Sequence, residues 1–132
     1  MITETAKRKL ALFLKEFFTE ANVGVGGNAS NPNMTDLDVP ILTSKKTTTN
    51  SESTQNVIDF TATFTGTELD GNTVREFGIF SSTAPADNQF DELRTTTSYS
   101  AENIMLARVN FESLGTFSSS DELEITLTVE VE

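Results

Sequence analysis

Residues 122–132, Glu-Leu-Glu-Ile-Thr-Leu-Thr-Val-Glu-Val-Glu, carry the clearest secondary-structure signal in the chain. Every second residue is apolar, and each residue between them is Glu or Thr, which is typical of a strand with one buried and one solvent-facing side. Residues 58–64 repeat the alternation, with Ile, Phe, Ala and Phe separated by Asp and Thr. The two stretches predict strands that bury one apolar face in a common core.

Two further strands are predicted between these stretches. Residues 73–80 follow the turn sequence Asp-Gly-Asn, and residues 104–111 carry apolar side chains on both faces. Strands at this spacing, with turns between them, predict a mainly β fold, an antiparallel β-sandwich whose core spans residues 57–132.

The polar stretch 81–103 is inserted between the two middle strands. Loops of this length inside a compact domain are usually functional or disordered. Phe90, Leu93 and Tyr99 give the stretch its few apolar anchors. We therefore expect these three residues to belong to a contact loop.

The N-terminal residues 3–22 have the periodicity of an amphipathic α-helix. Their apolar side chains recur every third or fourth residue and form one stripe, made of Ala6, Leu10, Phe13, Leu14, Phe17, Phe18 and Ala21. A stripe with three Phe residues must be covered, either by the chain's own sheet or by a neighbouring subunit. We expect Leu10, Phe13, Leu14, Phe17 and Phe18 to be interaction residues.

Residues 23–56 are rich in Gly, Pro, Asn, Ser and Thr, and they predict loops and edge strands. The glycine-rich residues 24–27 indicate a flexible turn, because a phosphate-binding loop precedes its helix and is often followed by Lys. Val23 and Val25 suit a short edge strand. The whole chain, residues 1–132, is predicted to form a single domain.

The composition disfavours several classes of function. Twenty acidic and nine basic residues give the 132-residue chain a net charge of −11, which repels nucleic acid and anionic membranes. His and Cys are absent, so the common general base, the thiolate nucleophile and the usual transition-metal ligands are missing. We expect no enzymatic activity, no cofactor and no bound metal. The apolar residues 10–14 are too few for a membrane span.

Two acidic features of the sequence are possible sites. Residues 36–38 and 87–92 are acidic clusters, but neither has the spacing of a twelve-residue calcium loop. Glu76 lies inside a predicted strand, where a catalytic role competes with pairing to Arg75, Arg108 or a backbone donor. Structural ion pairs are the commoner case, so pairing is the favoured interpretation.

The order of short motifs along the chain resembles that of small tailed-phage virion structural proteins, a tail or tail-fibre-like family. The motifs are VGVGG at 23–27, MTDL at 34–37, REFGIF at 75–80, MLARVNF at 105–111 and DELEI at 121–125, and they follow an N-terminal helix. In this family a short turn joins the two middle strands, so the stretch 81–103 departs from the pattern.

The resemblance implies a role in the virion and does not specify the position in the particle. The first hypothesis is a structural protein of the tail region, a tail, baseplate or fibre-attachment adaptor that assembles with copies of itself and other virion proteins. Two alternatives stay open. One is a capsid decoration or head-associated protein, and the other is a carbohydrate-binding module for host recognition. The carbohydrate-binding module needs an exposed aromatic platform, for which Phe90 and Tyr99 are the candidates.

Overall fold

The computed structural model describes residues 1–82 and 104–132. These residues lie mainly in strands of two antiparallel sheets, preceded by an N-terminal helix, which confirms the predicted fold class. In chain order the elements are α1 (Glu4–Phe17), β1 (Glu20–Gly24), β2 (Lys46–Thr47), β3 (Thr49–Thr54), β4 (Val57–Thr65), α2 (Gly66–Leu69), β5 (Glu76–Phe80), β6 (Met105–Asn110) and β7 (Glu122–Glu130).

Within the described residues, the strands form a four-stranded sheet in the order β2-β1-β5-β6 and a three-stranded sheet in the order β3-β4-β7. Thr48 separates β2 from β3, so the chain passes there from one sheet to the other. This places β2 and β3 on one side of the sandwich, and β6 and β7 on the opposite side. The edge strands predicted within residues 23–56 are β2 and β3.

Helix α1 begins where the sequence predicts it and ends earlier. The Thr3 hydroxyl accepts a hydrogen bond from the Ala6 N–H and caps the first turn. At the other end Phe18 turns to an extended conformation, with its N–H still bonded to the Leu14 carbonyl. The predicted continuation of the helix to residue 22 is wrong.

The residues after the helix form β1, an inner strand of the four-stranded sheet. Ala21 and Val23 are fully buried, and β1 is hydrogen-bonded to β2 on one side and to β5 on the other. The two neighbouring strands provide hydrogen-bond partners for the backbone N–H and C=O groups of this buried segment. This pairing favours a strand over the helix that the periodicity predicts. The predicted edge strand at Val23 and Val25 is therefore wrong in position, because β1 is central and ends at Gly24.

Strand β4 is the centre of the three-stranded sheet. Its side chains alternate between buried and partly exposed positions, as the sequence predicts. A tight turn through Asn56, which has a φ of 68°, joins β3 to β4. On the other side, β4 pairs with β7 over nine residues without a register shift. The alternating stretches at 58–64 and 122–132 are thus direct neighbours.

The chain changes sheets between β4 and β5. The short helix α2 starts with a capping box in which the Thr65 hydroxyl and the Glu68 side chain each bond the other residue's N–H. Gly71 then adopts a φ of +79°, which favours glycine. The predicted strand 73–80 is regular only from Glu76. Before it, Thr73 forms an isolated bridge with Thr116.

Side chains from α1 and from both sheets build one apolar core. Phe60 and Phe64 of β4 and Phe77 of β5 are among its largest members, and Phe64 meets Phe77 edge to face at 6.4 Å. Burying such a side chain stabilises the fold by about 1.5–3 kcal/mol. The core contact between β4 and β5 therefore holds the two sheets together.

Candidate functional site

Glu76 and Arg108 form a buried ion pair on the outer face of the four-stranded sheet. The Glu76 side chain is fully buried, the Arg108 side chain is 2% exposed, and Arg108 Nε lies 2.8 Å from Glu76 Oε1. Arg108 stands directly opposite Gly78, one alternation away from Glu76, so the two side chains project from the same face. The predicted structural pairing of Glu76 is confirmed, and of the two arginines considered as partners it is Arg108 that makes the ion pair.

Three backbone amides complete the surroundings of the Glu76 carboxylate. Oε1 accepts from the Asp38 N–H at 2.8 Å, and Oε2 accepts from the Gly26 and Val39 N–H groups at 2.9 and 2.8 Å. With Arg108, four donors occupy the acceptor positions of this carboxylate. The three amides tie the segment 25–39 to the sheet across a separation of 37 or more residues.

The same contacts set the ionisation of Glu76. Burial raises the pKa of the carboxyl, but hydrogen bonds from the Val39 N–H, Arg108, and the Asp38 and Gly26 N–H groups outweigh it. The pKa of Glu76 therefore lies below its usual value, and the side chain stays charged at neutral pH. A charged carboxylate with its acceptor positions filled acts here as a structural anchor.

Glycine is required where the segment 25–39 approaches Glu76. A Cβ atom on Gly24 would lie 2.4 Å from Glu76 Oε2, and one on Gly26 would lie 2.4 Å from the Asp38 Cβ. Gly27 has only the Arg75 side chain nearby, at 3.9 Å. The glycine-rich segment, predicted as a flexible turn, packs closely against the buried carboxylate at its first two glycines.

The predicted interaction stripe of α1 is covered unevenly. Leu10 is 48% exposed, whereas Phe13, Leu14 and Phe17 are half-buried and Phe18 lies in the chain's own core. Ala11 is the fully buried residue of the helix, so the buried face is offset from the predicted stripe. A partner has access to Leu10 and to the exposed parts of its neighbours, but not to Phe18.

A second apolar surface, which the sequence did not reveal, lies on the opposite side of the sandwich. Val109 of β6 stands opposite Phe77 and projects from the same face, yet Val109 is 40% exposed and Phe77 only 1%. The apolar row of β7 is likewise half-buried, although its partners on β4 are buried; the row consists of Leu123, Ile125, Leu127 and Val129. We call this region, Val109 with the β7 row, the open seam.

The other three predicted interaction residues, Phe90, Leu93 and Tyr99, lie outside the described residues. In the described part of the chain, no cluster of three or more acidic side chains is arranged as a metal site. A shallow depression beside α1 is lined by Glu4, Thr5, Arg8, Lys9, Leu12 and Gln55. Within the described ranges 1–82 and 104–132, no helix combines the length and hydrophobicity that a membrane span requires.

Comparison with known protein families finds none that matches the chain, and comparison with curated proteins finds no match either.

Proposed function

We propose that this chain is a structural protein of a tailed-phage virion, a tail, baseplate or fibre-attachment adaptor that acts through protein–protein assembly and not through catalysis. The order of motifs along the sequence supports the virion setting. The incomplete covering of apolar surface supports assembly, and this second observation carries the proposal.

Two separate apolar surfaces contribute. Leu10 exposes about half of its surface on α1, and the open seam exposes Val109 on the far side of the sandwich. Each surface is small, so each contact is expected to be of modest strength. Virion proteins occur in symmetric rings and trimers, where many modest contacts add up through multivalency.

The buried ion pair suits such a role. Glu76 fixes the segment 25–39 on the sheet, so this surface has a defined shape before any partner binds. Preorganised surfaces lose less conformational entropy on binding than flexible ones. A rigid module with small apolar contacts fits an adaptor between larger proteins.

Two measurements test the proposal together. The oligomeric mass of the purified chain is determined by sedimentation, and its presence in purified virions is determined by mass spectrometry. We expect self-association, incorporation into particles, or both. A strict monomer that is missing from the particles would contradict the proposal.

A further inference from the structure

The outer edge of β7 is a long edge strand of the three-stranded sheet. β7 has nine residues, and among the described strands it pairs with β4 alone. It contains no Pro, no Lys and no register shift. Proteins commonly protect long edge strands with such features, because unpaired N–H and C=O groups attract further strands.

The hydrogen-bond pattern identifies the groups at this edge. The Val131 N–H donates to the Asn56 carbonyl, so in an antiparallel ladder every second residue before Val131 also bonds toward β4. The remaining residues direct their N–H and C=O groups away from β4; they are Glu122, Glu124, Thr126, Thr128 and Glu130. Short contacts between side chains support this register, with the Thr61 and Thr126 hydroxyls 2.9 Å apart.

The charge at the edge selects among possible partners. Glu122, Glu124 and Glu130 are exposed on the solvent-facing side of β7, and no basic residue lies on the strand. A second copy paired antiparallel about Thr126 would place Glu122 opposite Glu130 twice, and like charges opposite each other are destabilising. A strand with basic residues at these positions forms favourable cross-strand pairs instead.

We propose that the edge of β7 binds an extended segment of a partner protein in which apolar and basic or hydroxyl residues alternate. The segment adds a strand to the three-stranded sheet through the outward N–H and C=O groups. Its apolar side chains cover the half-buried β7 row at the open seam, and its basic side chains meet the Glu residues. The inference rests on the proposed function, since it names the partner chemistry of one assembly surface.

Amide hydrogen exchange of the full chain, measured by NMR as a monomer, tests the open edge and its ligand. The probe is the peptide Lys-Leu-Lys-Ile-Thr-Leu-Thr-Val-Lys, which is the β7 sequence with Lys in place of Glu. The control peptide has the unchanged β7 sequence and represents a second copy. Without peptide, we expect the amides of Glu124, Thr126 and Thr128 to exchange about a hundredfold faster than those of Ile125 and Leu127.

With the Lys peptide, the fast-exchanging amides of Glu124, Thr126 and Thr128 should become protected. The control peptide should bind at least about tenfold more weakly than the Lys peptide. The proposal is overturned if these amides are already protected in the monomer, because the chain itself then covers the edge. It is also overturned if neither peptide protects them, or if both peptides bind equally.

Two matched variants locate the binding. Thr126→Pro removes an outward N–H without removing a bond to β4, and Thr126→Val removes only the hydroxyl contact with Thr61. We expect at least about tenfold weaker peptide binding for the Pro variant and unchanged binding for the Val variant. If the Pro variant does not fold, the double variant Glu122→Lys and Glu130→Lys serves instead, and it should prefer the control peptide.

These results are independent of the test of the proposed function. A chain that is found in virions but binds neither peptide keeps the assembly role and loses this partner surface. A chain that binds the Lys peptide but is missing from virions keeps the surface and loses the virion role.

Discussion

Among single residues, Glu76 links the segment 25–39 to the four-stranded sheet. It is fully buried, it is charged, and it receives hydrogen bonds from two separate parts of the chain. Isolating a buried charge is costly, so removing either member of the pair leaves the other uncompensated. This makes Glu76 a sensitive position for stability and an unsuitable one for proton transfer.

Glu76→Gln is expected to lower the free energy of unfolding by about 3 kcal/mol, because Arg108 then stays buried without its counter-charge. Denaturant unfolding measures the loss. The matched control is Glu52→Gln, which breaks the more exposed pair with Arg8 at 3.3 Å and should cost less than about 1 kcal/mol. Equal losses for the two variants would contradict the anchoring role.

The pKa of Glu76 also predicts an acid dependence of stability. Because the folded pKa is lowered, the unfolded chain binds more protons than the folded chain as the pH falls below about 4.5. The stabilisation is fully present above the unfolded pKa and is lost as the pH falls through the folded pKa. Denaturant unfolding at several acidic pH values should therefore show a steeper loss for the wild type than for Glu76→Gln. Parallel curves would show that Glu76 does not carry this linkage.

At the scale of elements, the strands were more predictable than the helix end and the glycine-rich segment. β4 and β7 each turn one face toward the core, so apolar and polar residues alternate in residues 57–65 and 122–130. β1 was missed because it is buried on both faces, and its sequence then lacks alternation. Arg108 was among the predicted partners of Glu76, but the amides of Gly26, Asp38 and Val39 could not be identified, since backbone donors have no sequence signature.

The open seam could not be predicted for a related reason. The alternation of apolar and polar residues in β7 shows which side chains face the core. It does not show whether another strand pairs with the outer edge of β7. Strand order depends on pairings between distant parts of the chain. The contact residues of α1 were predicted as a stripe, and the packing of Ala11 decides how much of that stripe is covered.

The segment 25–39 offers a test with two adjacent glycines. Gly26→Ala should destabilise the fold by about 1–3 kcal/mol, because its Cβ would lie 2.4 Å from the Asp38 Cβ and 2.7 Å from Glu76 Oε2. Gly27→Ala should change stability by less than about 1 kcal/mol, since its nearest neighbour is 3.9 Å away. Thermal unfolding of both variants makes the comparison, and similar shifts would argue against the close packing.

For helix α1, Leu10→Lys separates assembly from folding. Leu10 is 48% exposed, so the substitution should change the free energy of unfolding by less than about 0.5 kcal/mol. We expect it to weaken self-association or attachment to virions, as measured by sedimentation and by co-purification. The control, Thr5→Lys, is exposed on the same helix outside the apolar stripe and should leave assembly unchanged.

If Leu10→Lys assembles as well as Thr5→Lys, the exposed end of the stripe is not a contact.

In residues 1–82 and 104–132 of the whole molecule, the two sheets and the helix pack around one apolar core, and apolar surface stays exposed on two sides. The net charge of −11 limits indiscriminate association, because copies of the chain repel one another. We therefore expect the chain to act by binding specific partner proteins through these apolar surfaces. If the proposed virion role holds, the position in the particle decides between a tail adaptor and a head-associated protein.

The decisive test of the proposed assembly role is cryo-electron microscopy of phage particles produced from the genome that carries this gene. We predict density for repeated copies in a symmetric arrangement at the tail, baseplate or fibre attachment, with Leu10 and the outer edge of β7 in contact with neighbouring proteins. Particles without this chain, or copies whose Leu10 and β7 edge both face solvent, would contradict it.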